Sequence, residues 1–299
     1  MNSIKFTFIR IGILSLSIVG CISLMGQKAV TKVVEDGGTG PHKALMIAEP
    51  SLQTHTVFRP EDLSKFGKDH KLPIIAWGNG ACANSPWEHV NFLSEVASYG
   101  YLVIAIGPMP VEGVKPEGRT QSKQLTDAID WAIAENSNKT SPLFGKVATD
   151  KVSVSGMSCG GLQTIEMAPD PRVTTAVVYN SGVLGNGGGM PGMPPLKKED
   201  LLKIHSPVLY MLGGPSDIAY NNGMDDYKRI EHVPAFAANL EVGHGGTYRQ
   251  PHGGEFAIVA TAWYNWQLKG DKNASKMFVG ENCGLCKSDK WTFESKNLK

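Results

Sequence analysis

The chain has 299 residues, of which 41% are hydrophobic and 19% are charged, and its formal net charge is +1. This is the composition of a globular protein with enough apolar material for a sizeable core. A net charge near zero, without a long run of one sign, argues against the basic surfaces that bind nucleic acids or anionic membranes.

The first twenty residues are typical of an export signal. Lys5 and Arg10 precede an apolar run, IGILSLSIVG, which has signal-peptide length and is short for a membrane span. The run leads into Ile18-Val-Gly-Cys21, which resembles the bacterial lipobox, where the cysteine is lipidated and becomes the N-terminus. Cleavage of a plain signal peptide nearby, after Gly26 for example, is the alternative. We predict a signal peptide over 1–20, a tether over 21–44 and an exported protein, either lipid-anchored at Cys21 or secreted.

From about residue 45, short apolar runs alternate with amphipathic stretches. The patterns predict strands at 72–77, 101–106, 151–155, 174–179, 207–212 and 233–240, and helices at 85–100, 121–135, 161–167 and 255–268. Nearly continuous apolar strands alternating with helices indicate one α/β domain over 45–299, with a mostly parallel sheet covered on both faces. Residues 182–195, GVLGNGGGMPGMPP, are too rich in Gly and Pro for either element and predict an active-site loop or a linker.

Cys283 and Cys286 lie in a polar tail beyond the last predicted helix. In an exported protein this spacing predicts a small structural disulfide loop. A redox motif would need a thioredoxin-like strand and helix around it, and a metal site would need further ligands, so we predict no metal and no cofactor.

The sequence VSVSGMSCGGLQ at 152–163 contains the pattern Gly156-x-Ser158-x-Gly160. A predicted strand precedes it and a helical pattern follows, which is the context of a nucleophile elbow. Small residues are needed at both glycine positions because strand and helix approach closely there. Ser158 would then lie at a helix N-terminus, where negative charge is favoured.

A serine needs a base to accept its proton. His244, in EVGHGG, follows the last predicted strand and therefore lies at a carboxyl end of the sheet. His252 is the rival, at the start of the final helix. For the acid that orients the base, Asp217 follows the predicted strand at 207–212, whereas Asp225 and Asp226 look like solvated acids at a helix start.

Two N–H groups are expected to form an oxyanion hole. One belongs to Cys159, directly after Ser158, and the other to Gly80 or Ala81, in the turn after the strand at 72–77. Aromatic and sulfur-containing side chains are candidates for an apolar acyl or aryl pocket, with core or surface packing as the alternative role for each: Trp87, Met157, Tyr220, and Met190 or Met193.

The stretch from about residue 55 to 268 resembles the α/β-hydrolase superfamily, and the order Ser158, Asp217, His244 matches it. Residues 72–108 resemble the front half of esterases in the dienelactone-hydrolase, platelet-activating-factor acetylhydrolase and cutinase-like polyester hydrolase groups. Their elbow often reads Gly-His-Ser-Met-Gly-Gly, and here it reads GMSCGG. Dienelactone hydrolases use a cysteine nucleophile, whereas serine holds that position here. The resemblance also implies that the turns carrying Cys82 and Cys159 are neighbours, which leaves a disulfide and two buried free thiols as alternatives.

These observations predict an exported serine esterase of the α/β-hydrolase fold that acts on a small or polymer-borne ester. It would form an acyl-enzyme, with no nucleic-acid partner and membrane contact only through the lipid anchor. An acyltransferase or a peptidase would use the same Ser-His-Asp triad. A surface-binding lipoprotein with an inactive hydrolase fold is the non-enzymatic alternative. The sequence leaves acetylated sugars, feruloyl esters, polyesters and small acyl esters open as substrates.

Overall fold

The computed structural model describes residues 29–185 and 192–298. The predicted signal peptide, the predicted lipidation site at Cys21, the alternative cleavage after Gly26, and Met190 lie outside the described residues. No helix within the described ranges is long and apolar enough to cross a bilayer.

Within these ranges, ten strands form one sheet in the order β1-β2-β3-β5-β4-β6-β7-β8-β9-β10. The six strands from β5 to β9 in that order are parallel, while β1, β2 and β3 on one side and β10 on the other pair antiparallel. The strands are β1 (Val30–Lys32), β2 (Ala44–Ala48), β3 (His55–Pro60), β4 (Leu72–Gly78), β5 (Leu102–Ile106), β6 (Val147–Met157), β7 (Val173–Tyr179), β8 (Val208–Leu212), β9 (Ala235–Leu240) and β10 (Trp291–Lys296).

The helices cover both faces of this sheet. They are α1 (Val90–Ser98), α2 (Lys123–Ser137), α3 (Cys159–Met167), α4 (Tyr220–Arg229), α5 (Gly254–Lys269) and α6 (Lys272–Ser275). Apolar side chains of α2, α3 and α4 belong to one core cluster, and those of α1 and α5 belong to the other. Successive residues of β4 alternate between the clusters, since side chains of a strand point to opposite faces. The predicted α/β-hydrolase architecture is confirmed.

The sheet extends further than the sequence patterns indicate. Strand β1 lies within the predicted tether, and β10 lies in the segment taken for a polar tail, where it pairs antiparallel with β9. Most residues of both edge strands are exposed or half-buried, so their sequences lack the continuous apolar run that marks a central strand. The helix predicted from residue 85 begins only at Val90, because residues 86–89 form a turn in which the His89 amide donates to the Pro86 carbonyl.

The prediction that Asp226 is a solvated acid is wrong. Its side chain is fully buried in α4. It accepts hydrogen bonds from the Lys198 ammonium at 2.5 Å and the Val183 amide at 2.7 Å. Burial raises the pKa of Asp226 to about 6, although the charge of Lys198 opposes the shift. Asp225, on the same helix, is 43% exposed at its side chain, as expected for a solvated acid.

Candidate active site

Ser158 is the single residue that connects the end of β6 to the start of α3, and its backbone angles are φ 54° and ψ −115°. A positive φ is rare for a residue with a side chain and marks a sharply turned backbone. A Cβ atom at Gly156 would lie 2.4 Å from the Gly160 carbonyl oxygen, and one at Gly160 would lie 2.1 Å from the Gly78 carbonyl oxygen. The strand and helix therefore meet only because both positions are glycine.

Ser158, His244 and Asp217 form a hydrogen-bonded series. His244 Nε2 lies 3.0 Å from Ser158 Oγ, and His244 Nδ1 lies 2.6 Å from Asp217 Oδ1. An ionised carboxylate only accepts, so Nδ1 carries the proton and Nε2 is free to accept the serine proton. The three side chains follow β6, β8 and β9, whose carboxyl ends share one edge of the sheet.

Asp217 is buried and held in place by four donors. Besides His244 these are the Ala219 amide, the Gly213 amide and the Asn180 side chain, at 2.8–3.0 Å. Burial alone would raise the pKa of Asp217, but the hydrogen bonds from His244 and the other donors outweigh it and lower the pKa below its ordinary value. The carboxylate therefore stays ionised opposite the histidine.

Asn180 is a supporting residue that sequence reasoning missed. It is fully buried directly after β7, donates to Asp217 and accepts from the Tyr248 hydroxyl at 2.5 Å. Its position directly after the parallel strand β7 could have indicated this role, because polar residues at the carboxyl ends of parallel strands lie along the same edge of the sheet. The rival His252 lies elsewhere, with Nδ1 3.5 Å from a Glu95 carboxylate oxygen and 3.8 Å from one of Glu35.

The turn after β4 and the start of α3 are joined beside Ser158. The Gly160 amide donates to the Asn79 carbonyl at 3.0 Å, and the Asn79 side chain donates to the carbonyls of Ala83 and Ile106. A disulfide links Cys82 to Cys159, with their Cα atoms 5.1 Å apart. The structure thus resolves the alternative left open by the sequence in favour of a bridge.

Both expected oxyanion donors lie in these joined segments. The Cys159 amide opens α3, where the first N–H groups of a helix have no intrahelical partner. Gly80 and Ala81 lie in the short 3-10 turn after β4, where Ala81 has a φ of 54°. A Cβ atom at Gly80 would lie 2.7 Å from Met157 Sδ, so Met157 packs directly on this turn.

The Cys283–Cys286 disulfide is also present, as predicted. Cys283 is buried in the core cluster shared by α1 and α5, beside Phe278 and Leu285. Among the described residues, no cluster of His, Cys, Asp or Glu side chains is arranged to hold a metal ion.

A cavity of about 340 Å³ opens beside His244, and we call it the histidine pocket. Its lining includes Met157, Glu88, His89 and the loop 244–250. Of the predicted pocket residues that the structure describes, Met157 lines this pocket. Trp87 lies next to the pocket, 46% exposed, with the Arg249 guanidinium 4.4 Å from its ring centroid.

Tyr220 and Met193 instead pack against the core cluster of α2, α3 and α4, so the packing alternative applies to them. Tyr220 opens α4, where its ring is half-buried.

His89 is the second residue missed by the sequence patterns. It is 1% exposed, and its Nδ1 has no hydrogen-bond partner among the described residues. Burial, together with the charge of Arg249, lowers its pKa to about 3, so the ring is neutral. The ring packs against the rings of Trp77 and Tyr248, with centroids 5.1 and 4.9 Å away, so it forms a buried, uncharged part of the pocket wall.

Residues 72–181 match the model of the PETase family, described as PET hydrolase-like. Over this segment the chain is similar to PET hydrolase-like proteins. The protein is therefore a carboxylic ester hydrolase of the α/β-hydrolase fold. The matched segment includes Ser158 and the turn after β4, whereas Asp217 and His244 follow it in the chain. No curated protein shows significant similarity to the chain.

Proposed function

We propose that the protein is a serine esterase in which Ser158 is the nucleophile, His244 the general base and Asp217 the residue that orients the base. The observation that carries the proposal is the hydrogen-bonded series of these three side chains at the elbow, with distances of 3.0 and 2.6 Å. Distances in this range allow proton transfer between serine and histidine without rearrangement.

In the proposed mechanism, Ser158 Oγ attacks the ester carbonyl carbon while its proton passes to His244 Nε2. The carbonyl oxygen becomes an oxyanion that accepts hydrogen bonds from the Cys159 amide and from Gly80 or Ala81. Asp217 stabilises the imidazolium. The intermediate collapses as His244 returns the proton to the leaving alcohol, and the acyl group remains on Ser158. Water then attacks the acyl-enzyme with His244 again as base, releasing the acid and restoring the serine.

We further propose that the substrate is a polyester or an ester derived from one. The family description supports this choice over the acetylated and feruloylated glycans that the sequence left open. The sulfur of Met157 and the buried, neutral ring of His89 line the histidine pocket, and its charged residues Glu88 and Arg249 pair with each other, so the pocket suits an uncharged acyl or aryl unit.

A fluorophosphonate probe tests the nucleophile. We expect it to label Ser158, and we expect Ser158→Ala and His244→Ala each to lower kcat on a nitrophenyl ester on the order of 10³-fold or more. His252→Ala is the matched control. It also removes a histidine that follows the last parallel strand, but the His252 ring faces Glu35 and Glu95 rather than Ser158. Full activity in Ser158→Ala, or an equal loss in His252→Ala, would contradict the assignment.

We also propose that the protein is exported and anchored through lipid on Cys21. The support is the charged N-terminus, the apolar run and the lipobox-like sequence before this cysteine. The wild type is then expected to partition into detergent, and Cys21→Ser to release it to the soluble fraction. A mature N-terminus at Gln27 would refute lipidation and leave export intact.

A further inference from the structure

A buried hydrogen-bonded pair, Tyr248 and Asn180, lies behind the triad. The Tyr248 hydroxyl donates to Asn180 Oδ1 at 2.5 Å, and both side chains are buried. Asn180 Nδ2 in turn donates to Asp217 Oδ2 at 2.8 Å and to the Gly243 carbonyl at 3.3 Å. Gly243 and Tyr248 belong to the loop that carries His244. One amide therefore contacts the acid and, on both sides of the histidine, the loop of the base.

The loop that carries His244 has little internal restraint. Glycines lie at positions 243, 245 and 246, and most of residues 241–250 are exposed or half-buried. Tyr248 is one of the two buried residues in this range. Its ring packs in an aromatic cluster, with ring centroids 5.5–6.2 Å from those of Trp77, Phe92 and Phe256. This packing fixes the Tyr248 hydroxyl, so its hydrogen bond to Asn180 anchors the loop beside the acid.

The two oxygens of Asp217 have separate partners. Asp217 Oδ2 accepts from Asn180 and from the Gly213 amide, which leaves Asp217 Oδ1 for His244 at 2.6 Å. An ionised carboxylate only accepts, so Asn180 presents its nitrogen to Asp217 and its oxygen to the Tyr248 hydroxyl. Without that hydroxyl, the Asn180 oxygen would be buried without a donor, and the amide would lose a contact that fixes its orientation.

We propose that Tyr248 and Asn180 are positioning residues of the triad, which hold Asp217 Oδ1 toward His244 and tie the histidine loop to the acid. This inference rests on the proposed function and adds two residues to it. The hydrogen bonds of both side chains lead to Asp217 and to the loop, so their effect reaches Ser158 through His244.

Three variants test the pair. Tyr248→Phe removes only the hydroxyl. Asn180 has a backbone φ of 41°, which asparagine, aspartate and glycine adopt more readily than other residues. Asn180→Gly therefore removes the amide without straining the backbone, and Asn180→Asp keeps both the backbone conformation and the shape of the side chain.

Tyr101→Phe is the matched control. The Tyr101 hydroxyl is also buried and also donates to an asparagine oxygen, Asn265 Oδ1, at 2.6 Å. Tyr101 directly precedes β5, so it lies at the opposite edge of the parallel strands from the triad. Its variant therefore loses an equivalent hydrogen bond that does not lead to Asp217.

The first measurement is the kinetics on nitrophenyl acetate. We expect Tyr248→Phe to lower kcat about three- to tenfold and Asn180→Gly about ten- to hundredfold, each with KM within about twofold. Tyr101→Phe should change kcat by less than about twofold. An unchanged kcat in Tyr248→Phe, or the same loss in Tyr101→Phe, would overturn the proposal. If Asn180→Gly does not fold, Tyr248→Phe and Asn180→Asp still decide the question.

The pH dependence of Asn180→Asp separates positioning from a purely structural role. The new carboxyl group can donate to Asp217 while it is protonated, but once ionised it places a second negative charge against Asp217. Adjacent carboxylates raise the pKa of one of them, so this donor is present at low pH and is lost as the pH rises. We expect kcat of Asn180→Asp, relative to the wild type, to fall about tenfold from about pH 6 to about pH 9, while the ratio for Asn180→Gly stays constant. A ratio for Asn180→Asp that is constant or rises with pH would overturn the proposal.

The other titratable groups that face the pair, among the described residues, keep one protonation state over this pH range. His89 is neutral, because burial lowers its pKa to about 3. Asp217 stays ionised, because its hydrogen bonds hold its pKa below the ordinary value despite burial. Burial raises the pKa of three tyrosines in this region, namely Tyr179, Tyr248 and Tyr264. His244 is common to the wild type and the variants, so its titration cancels from the ratio.

Coupling to Asp217 shows whether the pair acts through the acid. In an Asp217→Ala background, Tyr248→Phe is expected to lower the residual kcat by less than about twofold, because the acid that it holds is gone. A loss of about three- to tenfold in both backgrounds would overturn the proposal. If Asp217→Ala itself retains the wild-type kcat, the proposed triad fails and this inference fails with it, which distinguishes that outcome from an error in the role of the pair alone.

Discussion

Removal of the Cys82–Cys159 disulfide is expected to destabilise the protein far more than removal of Cys283–Cys286. The first bridge joins residues 77 positions apart, and the second joins residues 3 apart. In the chain-entropy model, closing these loops restricts the unfolded chain by about 4.5 and about 1.6 kcal/mol respectively at 25 °C. The difference of about 3 kcal/mol is the predicted contrast between the two double alanine variants.

The assay is urea unfolding of Cys82→Ala/Cys159→Ala and Cys283→Ala/Cys286→Ala beside the wild type, with the free energy extrapolated to water. The Cys82/Cys159 variant also tests the chemistry, because the Asn79–Gly160 hydrogen bond is left to hold the two oxyanion turns together. We expect its kcat on a nitrophenyl ester to fall on the order of tenfold, since small misplacements of an oxyanion donor are costly.

The reasoning fails if the Cys82/Cys159 variant loses no more stability than the Cys283/Cys286 variant. An unchanged kcat together with the expected loss of stability would show that the bridge supports the fold without positioning the donors. Addition of reductant to the wild type provides an independent check, because it opens the bridges without changing a side chain's size.

Two further predictions concern buried acids. Asp217→Asn is expected to lower kcat on the order of 10³- to 10⁴-fold with little change in KM, because an amide no longer holds His244 in the Nδ1–H form; a near-normal kcat would refute this role. Asp226 has its pKa raised to about 6, above the unfolded value, so its stabilising effect is complete below about pH 4 and is lost as the pH rises through 6. Urea unfolding from pH 4 to 7 should therefore show the free energy of unfolding of the wild type falling relative to Asp226→Asn, on the order of 1–3 kcal/mol, and a difference that rises with pH would contradict it.

Sequence patterns predicted the centre of the sheet better than its edges. Strands β4 to β9 are buried on both faces, so their sequences are nearly continuous apolar runs that stand out without a structure. The edge strands β1 and β10 each have one neighbouring strand and exposed side chains, so their short sequences read as tether and tail. Pairing with a distant strand decides their conformation.

The same distinction applies to the candidate site. Ser158, Asp217 and His244 each follow a predicted strand, and this position favoured His244 over His252, which lies at the start of the final helix. The buried states of His89 and Asp226 were not predictable in this way, because each depends on side chains that approach from distant segments. A polar residue in a turn or on a helix is ordinarily solvated, so burial of this kind needs the tertiary contacts to be known.

The backbone at Ser158 also implies a conflict between folding and function at a single position. Its φ of 54° and ψ of −115° lie in a region that glycine adopts without strain. For a residue with a side chain, this backbone conformation costs on the order of 1–3 kcal/mol of stability. A glycine at position 158 would relieve that strain and leave no nucleophile. Ser158→Gly is therefore expected to raise the free energy of unfolding and to abolish activity. Random mutagenesis screened for thermal resistance alone would accordingly tend to discard the serine, and only a screen that also scores turnover would retain it.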